Sequence, residues 1–349
     1  MDMEKVNRLP SPTWRYLKTN DSDLPFRKAE RPAKAVWSDT TYMTEGAVLP
    51  ARFEGASAAW KEAAASGECR TVRIPAGTRA VLRAEIAMDE AAPDFAGTYV
   101  FHVEKGAELR LVWQWKGGGE DGVCAVAAAY ELEDGAVLHV SSAEEGLGGK
   151  LLCMQRLIET GEGAQAEFVS ADLGGRTVIT HSRGYLEGKK SSLHEYGVYT
   201  AGGRQHLDLF YHIDHLGEET DSDVEVKGAL AGEAKKVFRS TIDFKRGCSG
   251  ATGNEGDYAI QLDPKTKNIS LPLLLCTEDN VAGNHASSAG QIDEQTLYYL
   301  MSRGLTKEEA RRIVVESLLR PLIDRLDESL RDGVLAGVRA RLDAEGGEA

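Results

Sequence analysis

From Cys69 onward the chain passes from mixed polar stretches to short apolar alternations broken by glycine, as in "CRTVRIPAGTRAVLRAEIAM", and this period-two pattern predicts strands. Within that region a phrase recurs: "EKGAELRLV" at Gly106, "EDGAVLHVS" at Gly135 and "GEGAQAEFV" at Gly163, the glycines 29 and 28 residues apart. Looser echoes follow in "LEGKKSSLHEY", "AGGRQHLDLFY" and "AGEAKKVFRSTIDF". A turn glycine and then a strand, at near-constant spacing with no helical pattern between, is what a β-solenoid needs, because each coil stacks its apolar side chains on the coil below. The predicted core is therefore mainly β, a parallel β-helix. Spacing alone leaves an antiparallel sandwich with hairpins at this interval as the alternative.

The flanks read differently. Residues 1–70 carry Pro10, Pro12, Pro25 and Pro32 and then the alanine-rich "EGASAAWKEAAASGE", which predicts a helix within a helical or irregular N-terminal segment. Residues 71–290 form the predicted β-helix core and 291–349 a C-terminal helical domain. In that tail "DEQTLYYLMSRG" places Leu297, Leu300 and Met301 on one face and ends at Gly304. Thr306 and Glu309 then stand at capping-box spacing before "ARRIVVESLLRPLIDRL". Pro321 is expected to break or bend that helix, and Gly333 and Gly337 to weaken the last one.

Charge and composition narrow the function. With 41 basic and 55 acidic residues the formal charge is −14, which repels a phosphate backbone and argues against nucleic-acid partners. No apolar run approaches the roughly 20 residues that span a bilayer, and "MDMEKVNRLPSPTWRYLKTN" has no secretion-signal pattern, so the reading is a soluble, cytoplasmic chain with no membrane partner. Five cysteines without a CxxC pair fit reduced thiols. No Walker A pattern, helix-opening GxGxxG or HExxH occurs, so no nucleotide is expected on this chain and any ATP belongs to a partner.

The chemistry-bearing stretch is "EDNVAGNHASSAGQID". Cys276 and Glu278 lie two apart at the end of "NISLPLLLCTED", on one side of a strand, and His285 follows the turn-forming Gly283 and Asn284. A thiolate, a carboxylate and an imidazole converging there would suit iron, zinc or an iron–sulfur cluster. The competing reading is a hydrogen-bonded histidine beside a turn and a cysteine serving as a small core hydrophobe. Cys248, in "FKRGCSGATGNEGDY", stands beside Lys245 and Arg246, which would favour an exposed thiolate, and Glu255 is a further candidate carboxylate ligand. His212 and His215 fall on opposite faces of a strand and read as structural, and Cys69, Cys124 and Cys153 as core residues.

The segment from Val224 to Ile323 resembles the SufB/SufD family of the SUF iron–sulfur cluster assembly machinery. The resemblance rests on Val281, Gly283, His285, Ala286, Ser287, Ser288 and Gly290, then "LYYLMSRGLTKEEA", with "HLGEETDSDVEVKGALAGEAKKVF" upstream and "LPSPTWRYLKTN" near the N terminus. Gly283 stands where many SufD proteins have a cysteine, and Ala286 where they have a glycine. The resemblance implies a right-handed parallel β-helix with N- and C-terminal helical segments, dimerising through the β-helix with a SufB-like partner or a second copy. It also implies a SufC-type ABC ATPase docked on the C-terminal helices, a sulfur donor, and a transient iron–sulfur cluster at the dimer interface. On this reading the chain is a scaffold, not an enzyme. His285 would be a nitrogen ligand, Cys276 and Cys248 thiolate ligands or persulfide carriers, and Glu278 and Glu255 oxygen donors to iron. The alternatives are a purely architectural SUF subunit and a β-helix carbohydrate-active enzyme, the latter disfavoured by the 7% aromatic content.

Overall fold

The computed structural model describes residues 2–13, 18–118 and 121–346, so Trp14 of the N-terminal Pro–Trp segment lies outside the described residues. The chain opens with an antiparallel pair, β1 (Asp2–Val6) and β2 (Ser22–Phe26), then two short strands, β3 (Ala35–Trp37) and β4 (Met43–Glu45), and the helix α1 (Ala58–Ala64). Ser57 caps α1 by accepting from the Trp60 amide, and the alanines keep the helix narrow where it meets the sheet.

Sixteen strands then build the solenoid: β5 (Glu68–Ile74), β6 (Arg79–Met88), β7 (Phe95–Val103), β8 (Glu108–Gly117), β9 (Val123–Leu132), β10 (Val137–Glu145), β11 (Leu151–Thr160), β12 (Gln165–Asp172), β13 (Thr177–Leu186), β14 (Ser192–Ala201), β15 (His206–His215), β16 (Asp221–Leu230), β17 (Lys235–Phe244), β18 (Thr252–Gln261), β19 (Lys267–Cys276) and β20 (Ala282–Gly290). Odd strands form one parallel sheet and even strands the other, about eight coils in all. Two residues before every even strand from β6 to β18 the backbone turns left-handed. Gly77, Gly106, Gly135 and Gly163 occupy that position at φ +66°, +64°, +66° and +63°. In the next two coils Lys190 (+60°) and Glu219 (+55°) hold the same conformation, at a cost of about 1 kcal/mol each. The geometric repeat thus outlasts its glycine signature, which is why the sequence repeat fades after Gly163.

The lumen of the early coils is apolar. Phe101 stacks on Tyr130 with centroids 4.9 Å apart, and Tyr130 meets Phe168 edge-on at 5.1 Å. Later coils admit charge: Arg156 pairs with Glu195, whose carboxylate also accepts from Ser182, and Lys236 pairs with Asp257. Both sheets are covered outside as well. Val6, Leu24, Phe53 and Trp60 pack on the odd sheet, and the C-terminal helices on the even one. The first coil is closed by β3 and β4, which pair antiparallel with β6 and β5.

Three helices follow: α2 (Glu294–Ser302), α3 (Lys307–Ile323) and α4 (Glu328–Gly346). The capping box is formed, with the Glu309 amide donating to Thr306 Oγ1 at 3.1 Å and the Thr306 amide to Glu309 Oε2 at 2.8 Å. Contrary to expectation, α3 runs through Pro321 without a break. Pro321 falls in its last turn, where burial of Leu319, Leu322 and Ile323 against the sheet outweighs one missing hydrogen bond. Gly333 and Gly337 do not interrupt α4 either. A Cβ at Gly337 would stand 2.9 Å from Leu173 Cδ1, so the glycine lets the helix approach the sheet closely. No helix among the described residues is long and apolar enough to cross a membrane.

Candidate functional site

The two ends of the solenoid differ. Every residue of β20 is exposed, and Leu274 on β19 is 36% exposed, because none of the described residues stacks on the last coil. An uncovered pair of parallel strand edges with unsatisfied backbone groups is a surface made for a further layer. The residues singled out from the sequence collect in this coil and the one beneath it.

His285 lies on β20 in register with Glu255 on β18. Their neighbours Asn284 and Asn254 join amides on the outer face, with Asn284 Nδ2 donating to Asn254 Oδ1 at 3.0 Å. Alternation along the strand therefore turns His285 to the lumenal side, at the open end. Cys276 is the last residue of β19, in register with the lumenal Phe244. It is exposed, and its thiol donates to the Glu278 carbonyl at 2.9 Å. Glu278 lies in the corner turn. The Gly247 amide donates to its Oε2 at 2.8 Å and the Asp279 amide to its Oε1 at 3.1 Å, and these bonds hold its carboxyl below the usual carboxylate range.

Two expectations need correction. Cys248 is not an exposed, activated thiol: it is fully buried against Ile242, Phe244 and Ala251, and burial, reinforced by the neighbouring Glu278 and Cys276, pushes the thiol up to about 11. The cation meant to activate it is occupied elsewhere, since Lys245 Nζ sits 2.5 Å from Asp243 and 3.5 Å from Asp214. Nor do Cys276, Glu278 and His285 close into a single cage. Among the described residues only His212, Asp214 and Asp243 bring three metal-ligating atoms within 4.8 Å of one another. The reason is the corner: Cys276 ends one sheet, while His285 sits three residues into the other, roughly 10 Å along the strand at 3.3 Å per residue. Cys69, expected in the core, is half-buried, whereas Cys124 and Cys153 are buried as predicted.

No motif marks the His212–Asp214–Asp243 cluster, which exists only once β15 and β17 are in register on the outer face of the odd sheet. Its charges are balanced internally. Arg183 pairs with Asp214 and donates to His212 Nδ1, and Lys245 bridges both aspartates. An imidazole accepting at Nδ1 keeps its proton on Nε2, so this group is a structural ion network, not a ready metal cage. His215, on the opposite face as predicted, is enclosed between Thr220 Oγ1 and Ser222 Oγ, both at 2.8 Å, and burial lowers it to about 4.

Glu255 is the anomaly. It is 3% exposed, among the described residues neither carboxylate oxygen has a hydrogen bond of good geometry, and burial pushes its carboxyl up to about 8 against the opposing pull of the nearby Ser240 hydroxyl. The spare donors in these coils thus comprise an exposed thiol, an exposed imidazole and an unpaired buried carboxyl.

Comparison with known proteins is consistent with this picture. The family described as "SUF system FeS cluster assembly, SufBD core domain" matches residues 87–318. The iron–sulfur cluster assembly protein SufD of Bacillus subtilis is 33% identical over 129 residues, 37% of this chain and 30% of that protein. SufB of the same organism is 26% identical over 165 residues, 47% of this chain and 36% of SufB. A SufBD family protein of Mycobacterium leprae is 27% identical over 191 residues, 52% of this chain and 49% of the relative. The chain thus spans about half or less of the length of these relatives.

Proposed function

The chain belongs to the SufBD family of SUF-system iron–sulfur cluster assembly proteins, and from that premise we propose that it is a scaffold on which a transient iron–sulfur cluster is built. Iron and sulfur are the cargo, the sulfur arriving from a separate donor. The uncapped last coil is the surface on which a SufB-like subunit or a second copy stacks. His285 and Cys276 supply nitrogen and sulfur ligands from this side, and Glu278 supplies oxygen when its turn opens. One chain's donors lie too far apart to close a cage, so the second subunit completes the set.

The helical domain after residue 290 is the docking element for a SufC-type ABC ATPase. Tyr298, Tyr299 and Met301 on α2 are exposed, beside a cavity of about 440 Å³ that Leu262, Pro264 and Ile292 help to line. An apolar helix face of this kind calls for a partner. ATP hydrolysis then belongs to the partner, and this chain contributes geometry.

The observation that carries the reading is the placement of the exposed thiol and imidazole in the one coil with no neighbour above it. The test is anaerobic reconstitution of the chain with its ATPase, iron and sulfide. Wild type develops cluster absorbance, and His285→Ala and Cys276→Ser reduce it. A second reading, an architectural subunit that ligates nothing, is favoured by the burial of Cys124, Cys153 and Cys248, which leaves few thiols within reach. Wild type that binds the ATPase yet develops no cluster absorbance above a control lacking the chain selects it.

A further inference from the structure

Glu255 is held where a carboxyl group has no reason to be unless something positive visits it. Among the described residues no ion pair reaches it, and the neighbouring buried amine, Lys236, belongs to Asp257. Burial keeps its proton on near neutral pH, and the neutral group still leaves buried oxygens without well-formed partners, at a cost of about 1–3 kcal/mol. Directly above it in the stack stands His285, on the same lumenal face, with strands roughly 4.8 Å apart. Across the lumen the buried Ser240 hydroxyl on β17 faces the same carboxyl and favours its charged form, although the pair makes no hydrogen bond of good geometry. Ser287, two residues beyond His285 on β20, adds an exposed hydroxyl on the same face.

We propose that Glu255 and His285 form a divalent-cation seat at the mouth of the lumen, taking Fe²⁺ or a surrogate such as Co²⁺ before sulfide or a second subunit is present. One imidazole nitrogen, one carboxylate and neutral oxygens from Ser240 or water form a mixed donor set suited to Fe²⁺, Co²⁺ and Mn²⁺. The open end gives the ion its path, since His285 is exposed while Glu255 lies one layer in. This deepens the scaffold reading and rests on it: the seat would hold iron next to the surface where the partner's ligands arrive. It also assigns Glu255 a task distinct from that of Cys276, which the corner turn keeps away from it.

The test is titration of Co²⁺ into the full chain, anaerobic and sulfide-free, followed by ligand-field absorbance and calorimetry. One equivalent binds, and Glu255→Gln and His285→Ala each weaken binding at least tenfold. Glu255→Gln keeps the side-chain shape, and circular dichroism checks its fold; Glu255→Asp, which withdraws the carboxylate by one methylene, replaces it if the amide variant does not fold and is expected to weaken binding as well. Co²⁺ binding as tight in a folded Glu255 variant as in wild type overturns the proposal. Should His285→Ala still abolish cluster formation in that case, the scaffold reading stands without the seat. Should Glu255→Gln lose Co²⁺ while His285→Ala assembles clusters normally, the seat stands and the scaffold role of His285 falls.

Discussion

Replacing Glu195 by glutamine tests whether charge inside the solenoid is a structural commitment. Glu195 is fully buried. Arg156 Nε donates to it at 2.8 Å and to Ser182 Oγ at 2.9 Å, while Ser182 Oγ donates to the same carboxylate at 2.8 Å. The guanidinium lies 4.8 Å from the Phe168 ring centroid, so when the carboxylate is removed the cation is left against aromatic faces. Breaking a buried pair in this way costs 3–5 kcal/mol. Arginine cannot escape by losing its proton, but Arg156 keeps 16% side-chain exposure, which places the expected cost near the lower end, about 3 kcal/mol. At roughly 2.1 cal/mol/K per residue, a chain of 349 residues melting as one unit would lose about 4 °C. The assay is urea unfolding of wild type, Glu195→Gln, Arg156→Met and the double variant. The double variant recovers most of the loss, because a methionine packs where the cation stood, and the coupling between the sites is about 2 kcal/mol or more. A loss under about 1 kcal/mol for Glu195→Gln, or additive losses in the double variant, would show that water already screens the pair.

Asp172, in the lumen beside Glu144, is pushed up to about 6 by burial, so the folded chain keeps a proton that the unfolded chain gives up near pH 4; stability therefore falls as pH rises from about 4 to 6, and Asp172→Asn flattens that slope in urea unfolding at pH 4.5, 5.5 and 6.5. At Gly188 a Cβ would lie 2.0 Å from the Gly161 carbonyl carbon, a backbone contact that cannot yield, so Gly188→Ala costs more than about 2 kcal/mol. At Gly135, where the space is open and only φ is unfavourable, alanine costs about 1 kcal/mol, and comparing the two melting curves checks the difference. Thr306→Ala removes one arm of the capping box on α3 and costs about 1 kcal/mol, read from the same unfolding curves.

The solenoid was legible where one sheet face meets water and obscure where both faces are covered. β6 alternates exposed and buried along its whole length and reads as a strand at once, whereas β9, "VCAVAAAYEL", is buried on both faces and shows no period of two. Its small residues are explained only by α1 and Trp60 resting on the outer side. The turn repeat was readable as long as glycine marked it and was lost once Lys190 and Glu219 took over the same conformation. The site was legible as a neighbourhood, not as a geometry. His285, Cys276 and Glu278 do sit together at one end, but the corner that separates the thiol from the imidazole follows from strand lengths that no motif records. Cys248 was misread because local sequence counts cations, while the structure decides which way Lys245 turns.

The open coil and the polar lumen belong to one physical account. In a solenoid each coil is stabilised by the neighbours above and below it, so a terminal coil with one neighbour is the least supported. The N-terminal end meets this with β3 and β4 and with the partly buried Trp37, Tyr42 and Met43 packed on the core. At the other end β19 and β20 have no such cover among the described residues, and beneath them the small apolar cluster of Ile242, Phe244, Cys248 and Ala251 shares the lumen with Glu255, Asp257 and Ser240, which keep oxygens without well-formed hydrogen bonds. An end that was merely finished would carry a hydrophobic lid; this one spends stability on unsatisfied polar atoms at the place where the strands are also unpaired. Both deficits would be relieved by the event proposed above, the arrival of a cation and of a further strand layer. On that proposal stability and function are opposed in this coil, and its weakness is what would leave His285 free to take a ligand.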